Sequence, residues 1–114
     1  MVMNLMIVTE ENRAMEKPFS MIANQCGLSV SSVRPYEAVA KVSQEKPDFV
    51  LVNCDIKDGA RTIEKLESLE LNTKVFGFGF SRQPTNVQNY LRLPFLIGEF
   101  ASALNLQVNK GEVK

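Results

Sequence analysis

Three short, continuous apolar runs divide the chain, at residues 4–8, 48–52 and 74–78. Runs of this length are typical of strands that are buried on both faces of a mainly parallel sheet. A weaker, serine-rich run at 28–33 predicts an edge strand. A last strand is expected after a short irregular stretch that follows residue 79.

Between the strands, apolar residues recur every three or four positions, which predicts helices that each bury one stripe against the sheet. The stripes are Met15, Phe19, Ile22 and Cys26; Ala38, Val39 and Val42; Ile63, Leu66 and Leu69; and Leu96, Phe100 and Leu104. Pro35 fits the first turn of the second helix, and Gly27 fits the end of the first. Because Pro18 cannot lie inside a regular helix that begins near Asn12, the first helix is expected either to kink or to begin late.

This alternation of strands and helices predicts an α/β fold with a doubly wound parallel sheet and right-handed crossovers. With 114 residues and 45% hydrophobic side chains, the chain suffices for one domain with one core. We assign it residues 1–107 and interpret 108–114 as a polar tail or the start of a linker. The sequence has no run long enough to span a membrane and no leader pattern, so a cytoplasmic location is expected.

Charge and composition exclude several classes of function. Thirteen basic and thirteen acidic residues cancel without forming a block, so direct contact with nucleic acid is not expected. Histidine is absent, and Cys26 and Cys54 lie far apart in sequence, so neither a zinc cluster nor a histidine-dependent catalytic triad can form. No cofactor is expected. Cys26 is expected to be a buried apolar residue at a helix end.

Three stretches of the sequence resemble motifs of the receiver domains of bacterial two-component systems. The letters EAV at 37–39, followed at the right spacing by PDFVLV at 47–52, are similar to the family's Glu-Ala-Leu and Pro-Asp-Leu-Val-Leu-Leu. The letters NYLRLPF at 89–95 resemble Asp-Tyr-Leu-x-Lys-Pro-Phe, and IVTEE at 7–11 lies where the family's first strand ends in an acidic pair. The resemblance implies five parallel strands in the order 2-1-3-4-5.

The phosphorylation site that this resemblance implies is degenerate. Thr9 and Glu10 stand where the family has its magnesium-binding carboxylates, and Asn53 stands where it has the phosphoryl-accepting aspartate. Gly79 replaces the family's hydroxyl residue, and Leu93 replaces its lysine. A carboxamide is a poor nucleophile, and phosphoryl transfer depends on charge neutralisation, so we expect no phosphorylation and no enzymatic activity.

Three alternatives remain open at the same edge of the sheet. If the third strand were two residues longer, Asp55 would face the site and could act as the phosphoacceptor. Glu10, Glu11 and Asp55 could attract a cation weakly, although solvated acids without a metal are the simpler interpretation. The vacated pocket of Thr9, Asn53 and Gly79 could accept a small ligand.

The segment between Gly79 and Tyr90 is about two helical turns shorter than in the family, so the fourth helix is expected to be short or missing. In receivers the face of the fourth helix, fifth strand and fifth helix contacts partners, and Tyr90 matches the switch aromatic. We therefore predict a partner face that contains Phe80, Tyr90, Arg92, Pro94 and Phe95.

The fourth strand alternates phenylalanine and glycine. Phe76, Phe78 and Phe80 are expected on one side of the sheet, with Gly77 and Gly79 on the other. Core packing of the phenylalanines is the simpler interpretation; exposed phenylalanines would instead form a binding patch, and exposed glycines a groove.

The function expected from the sequence is that of a pseudo-receiver that binds a protein partner or itself in bacterial signal transduction. It would act alone or as the N-terminal regulatory domain of a transcription regulator. The alternatives are an atypical receiver phosphorylated at Asp55 and a small-ligand sensor.

Overall fold

A five-stranded parallel sheet forms the middle layer of the protein, in a computed structural model that describes residues 3–9, 16–94 and 97–104. The strands are β1 (Met3–Val8), β2 (Leu28–Val33), β3 (Phe49–Asn53), β4 (Lys74–Gly79) and β5 (Tyr90–Arg92). The helices are α1 (Glu16–Gln25), α2 (Pro35–Glu45), α3 (Gly59–Glu67) and α4 (Ile97–Ala103). The strand order is β2-β1-β3-β4-β5, which confirms the predicted sheet.

Burial on both faces of the sheet explains the continuous apolar runs. In β1, Leu5 and Ile7 pack into a cluster with residues of α1 and α4, whereas Met6 and Val8 pack into a second cluster with residues of α2 and α3. All four side chains have no solvent exposure. The helices therefore lie in two layers, one on each face, as a doubly wound fold requires.

Local signals fix the helix ends. The described part of the α1 helix runs Glu16–Gln25 and has Pro18 near its beginning. Residues 10–15 lie outside the described residues, so the choice between a kink and a late start stays a prediction. Gly27, with φ of 79°, follows α1 as predicted. At the start of α2, the backbone N–H of Arg34 donates to the carboxylate of Glu37 at 3.2 Å.

The segment between β4 and β5 contains no helix, although all its residues are described. Side-chain amides hold it instead: Gln83 donates to the backbone carbonyls of Val87 and Gln88, and Asn86 donates to the carbonyl of Ala60 in α3 at 3.2 Å. Val87 is only 2% exposed and packs into the cluster of α2 and α3. The fourth helix of the expected pattern is therefore missing, and one valine covers the sheet in its place.

The phenylalanines of the fourth strand divide into two groups. Phe76 and Phe78 are buried, and the ring of Phe78 meets that of Phe19 edge-on, with centroids 4.7 Å apart. Phe80 is 60% exposed because β4 ends at Gly79, so core packing is wrong for this residue. No groove opens at Gly77, where an added Cβ would lie 2.7 Å from Cys54 Sγ.

Within the described residues, no helix is long and apolar enough to cross a membrane. Met15, Leu96 and the predicted tail at 108–114 lie outside the described residues.

Candidate functional site

The carboxyl ends of β1, β3 and β4 bring Thr9, Asn53 and Gly79 to one edge of the sheet, as the sequence predicts. Thr9 follows β1, is 3% exposed, and donates its backbone N–H to the carbonyl of Val33 at 3.0 Å. The amide Nδ2 of Asn53 approaches Thr9 Oγ1 at 3.4 Å, and its Oδ1 accepts the N–H of Asp55 at 2.9 Å. Both ends of the carboxamide therefore make structural hydrogen bonds.

Asp55 does not extend the third strand. The strand ends at Asn53, and Cys54 and Asp55 form a turn, so the condition for the Asp55 alternative, a strand two residues longer, is wrong. The turn nevertheless points the carboxylate at the loop after β4. Oδ2 accepts the N–H of Phe80 at 2.7 Å, and Oδ1 accepts the N–H of Ser81 at 3.2 Å. We call this set of contacts among Asp55, Phe80 and Ser81 the Asp55 clamp.

The Asp55 clamp lowers the pKa of its own carboxylate. Burial alone would raise this pKa, but hydrogen bonds from the side chain and backbone of Ser81 and from the backbone of Phe80 outweigh burial and bring the pKa below its ordinary value. Hydrogen bonds that are made to the charged form favour that form. Asp55 is therefore a carboxylate at neutral pH.

Gly79 makes this approach possible because it has no side chain. A Cβ added there would lie 2.7 Å from Asp55 Oδ1 and 2.8 Å from the hydroxyl oxygen of Tyr90, both closer than real Cβ contacts allow. The position that the resemblance assigns to a hydroxyl side chain is thus occupied by two other side chains.

Tyr90 is held by the same loop. Its hydroxyl donates to the carbonyl of Ser81 at 2.7 Å, and its half-buried ring packs against the cluster of α2 and α3. Burial is the main cause that raises the pKa of Tyr90, and the negative charge of Asp55 adds to it. The predicted switch aromatic therefore points inward and is neutral at ordinary pH.

Two other side chains at this edge, those of Leu93 and Cys54, supply neither a cation nor a reactive nucleophile. Leu93 donates its N–H to the carbonyl of Gly79 at 2.8 Å, and its side chain packs against the core and supplies no cation. Burial raises the pKa of the Cys54 thiol to about 11, so this thiol is protonated and a poor nucleophile at neutral pH.

Three predicted site residues, Glu10, Glu11 and Phe95, lie outside the described residues. Among the residues that are described, no group of three histidine, cysteine or acidic side chains could hold a metal ion. The weak cation site of Glu10, Glu11 and Asp55 stays a prediction.

Solved structures that resemble this chain include response-regulator receivers. CheY4, a chemotaxis protein of Vibrio cholerae, is 14% identical with a TM-score of 0.77, and the match covers 92% of this chain and 98% of that one. A CheY-like receiver domain from Methylobacillus flagellatus is 19% identical with a TM-score of 0.78 and the same coverages. NtrX from Brucella abortus is 14% identical with a TM-score of 0.73, and the match covers 92% of this chain but 26% of that one.

The chain has the CheY-like receiver fold. At these identities the likeness shows the fold alone. No protein-family model matches the sequence, and no curated protein matches it either.

The sequence did not predict which side chains occupy this edge of the sheet. Asp55 was considered as an acceptor of a phosphoryl group, but the structure makes it an acceptor of hydrogen bonds from Phe80 and Ser81. Neither Ser81 nor Val87 was singled out. The one available signal was Gly79, because a glycine at a strand end often marks a close approach of another group.

Replacing Gly79 tests the close approach at the Asp55 clamp. Gly79→Ala should lower the free energy of unfolding by about 1–3 kcal/mol because the added methyl group displaces Asp55 and Tyr90. Urea denaturation measures this change, and the amide NMR resonances of Phe80 and Ser81 should move with it. Gly98→Ala is the control, since a Cβ at Gly98 meets nothing within 4 Å. A Gly79→Ala variant with wild-type stability and unmoved resonances would contradict the geometry.

The charge of Asp55 predicts a pH dependence of stability. Because the folded pKa is lowered, the clamp stabilises the fold above the ordinary pKa of 3.8, and this contribution is lost as the pH falls through the folded value. The stability difference between the wild type and Asp55→Asn should therefore shrink between about pH 6 and about pH 3. Urea denaturation across this range measures it. Asp58→Asn, which removes an acid of the same loop whose side chain makes no cap hydrogen bond, controls for net charge; an equal shrinkage there would refute the assignment.

Proposed function

We propose that this chain is a pseudo-receiver that takes up no phosphoryl group, is not an enzyme and works by binding a protein partner. The observation that carries the proposal is the Asp55 clamp: the site edge has an amide at Asn53, and the nearby carboxylate of Asp55 is committed to the N–H groups of Phe80 and Ser81. Phosphoryl transfer depends on positioning and on charge neutralisation. The aliphatic side chain of Leu93 provides neither.

The same contacts argue against Asp55 as phosphoacceptor. Both of its oxygens accept hydrogen bonds, and an acyl phosphate at Asp55 would take an oxygen away from the N–H groups of the loop. Asp55 Oδ1 and the hydroxyl oxygen of Tyr90 also lie close to the same position beside Gly79, where the family's hydroxyl side chain would stand. The alternative of an atypical receiver therefore has no support from this geometry.

The vacated-pocket alternative is also unsupported by the described contacts. Thr9 is buried, and Asn53 is hydrogen-bonded both to Thr9 and to the N–H of Asp55. The space at Gly79 is filled by Asp55 and Tyr90. These contacts favour the pseudo-receiver over a ligand site at these three positions.

The partner face that we propose lies beside the Asp55 clamp. Phe80 is 60% exposed, and Arg92 and Pro94 are also exposed. Aromatic residues and arginine are enriched in protein interfaces and frequently dominate the binding energy. Because Tyr90 already points inward and the fourth helix is missing, we expect this face to bind its partner without phosphorylation.

The receiver fold occurs both alone and within longer chains among the solved structures. The match covers nearly all of CheY4 but 26% of NtrX. These two cases support both arrangements of our proposal, an independent interaction module and a regulatory domain of a longer transcription regulator. The cytoplasm of a bacterium is the location that this role implies.

Intact-protein mass spectrometry after incubation with acetyl phosphate and magnesium tests the loss of phosphorylation. We expect no added mass on the wild type, under conditions that modify a competent receiver in a parallel sample. An added phosphoryl group that disappears in Asp55→Ala would replace our proposal with the atypical-receiver alternative.

Phe80 and Met21 form a matched pair for a test of the partner face, because both are 60% exposed and lie in different parts of the fold. Phe80→Asp should weaken partner binding or self-association at least about tenfold. Met21→Asp should leave it unchanged. Quantitative capture from a lysate of the native organism and analytical sedimentation measure the two kinds of association. Equal effects of both substitutions would remove Phe80 from the interface.

A further inference from the structure

A concave site lies between the start of α2 and α3, and its lining includes Ile56 and Lys57, which follow Asp55 in the chain. This surface cavity has a volume of about 360 Å³ and is lined by Tyr36, Lys57, Asp58, Arg61 and Lys65, among others. This volume is within the range of small-molecule sites. None of these residues was singled out from the sequence.

The lining carries a concentrated positive charge although the whole chain has a net charge of zero. Lys57, Arg61 and Lys65 follow one another at intervals of four residues, so Arg61 and Lys65 lie on the same side of α3. Like charges at this spacing repel each other. An anion that binds among them would remove this repulsion.

The one acid in the lining does not neutralise this charge. Asp58 lies 3.9 Å from Arg61, and the two side chains are 51% and 71% exposed. Exposed pairs of this kind contribute little because solvent screens them and the side chains stay mobile. Three cations thus face one weakly paired carboxylate.

The lining of the cavity also contains an aromatic ring, that of Tyr36. Tyr36 is 76% exposed, and its hydroxyl accepts a hydrogen bond from the guanidinium of Arg34 at 2.9 Å, which restrains the ring. A nucleobase can stack on such a ring, whereas lysine and arginine are the usual partners of phosphate.

We infer that this cavity binds a nucleoside polyphosphate, with the phosphates among Lys57, Arg61 and Lys65 and the base against Tyr36. The inference does not rest on the proposed function, because it uses neither the Asp55 clamp nor the partner face. It also differs from the small-ligand alternative of the sequence analysis, which placed a ligand at Thr9, Asn53 and Gly79.

Isothermal titration calorimetry with ATP as the probe tests the site, in buffer without divalent cations at about 50 mM salt, where screening is modest. We expect saturable binding of ATP that is tighter than that of tripolyphosphate and of adenosine. Arg61→Glu and Lys65→Glu should each weaken ATP about tenfold. Tyr36→Ala should remove the advantage of ATP over tripolyphosphate. Two-dimensional NMR should show ATP-dependent shifts in the amides of residues 57–65.

The control is Lys74→Glu, which makes the same change of charge at an exposed residue of β4 outside this cavity. It should leave the affinity unchanged, and thermal melts should show that every variant is folded. The inference is overturned by an absence of saturable ATP binding, by tripolyphosphate that binds as tightly as ATP, or by an equal loss of affinity in Lys74→Glu.

Discussion

The carboxylate of Asp55 accepts the backbone N–H groups of Phe80 and Ser81, and the arrangement of the whole edge follows from this contact. It orients the loop so that the carbonyl of Ser81 receives the hydroxyl of Tyr90. It also requires a glycine at position 79, because any side chain there would meet both partners. Hydrogen bonds to an ionised acceptor are stronger than neutral ones. The receiver fold therefore carries, within its own chain, an anion that fixes the loop after its fourth strand.

The fold can be stable without the fourth helix because little apolar surface of β4 needs to be buried on the face that this helix would cover. Gly77 presents no side chain on that side of β4, and Val87 fills the space beside Cys54 and Ile63. The amides of Gln83 and Asn86 supply hydrogen bonds that a helix would have made internally. A short segment can thus close the sheet, provided that the strand beneath it lacks large side chains on that face.

The sequence predicted the sheet because the signals for it are local. Continuous runs such as Leu5 to Val8 indicate burial on both faces, and Gly27 indicates the end of α1 from its own position in the sequence. Local signals do not predict the Asp55 clamp, because Asp55 and Phe80 are 25 residues apart in the sequence. The N–H of Asp55 donates to Asn53 Oδ1 in the turn that orients its carboxylate, whereas the alternative considered from the sequence required a strand two residues longer. Phe80 was misjudged for a related reason, because alternation continues in sequence past Gly79 whereas the strand does not.

A receiver fold that supplies its own anion has consequences for how its activity could be controlled. A phosphoryl group can come and go, but Asp55 is covalently part of the chain and stays ionised at neutral pH because its hydrogen bonds lower its pKa. A ligand can shift such an arrangement only by binding two states with different affinity. The loop that carries Asp55 also carries Lys57, with only Ile56 between them, so an anion that moved Lys57 would act on the clamp through a short and direct connection. The loop of residues 55–57 therefore joins the inferred anion site to the Asp55 clamp within three residues.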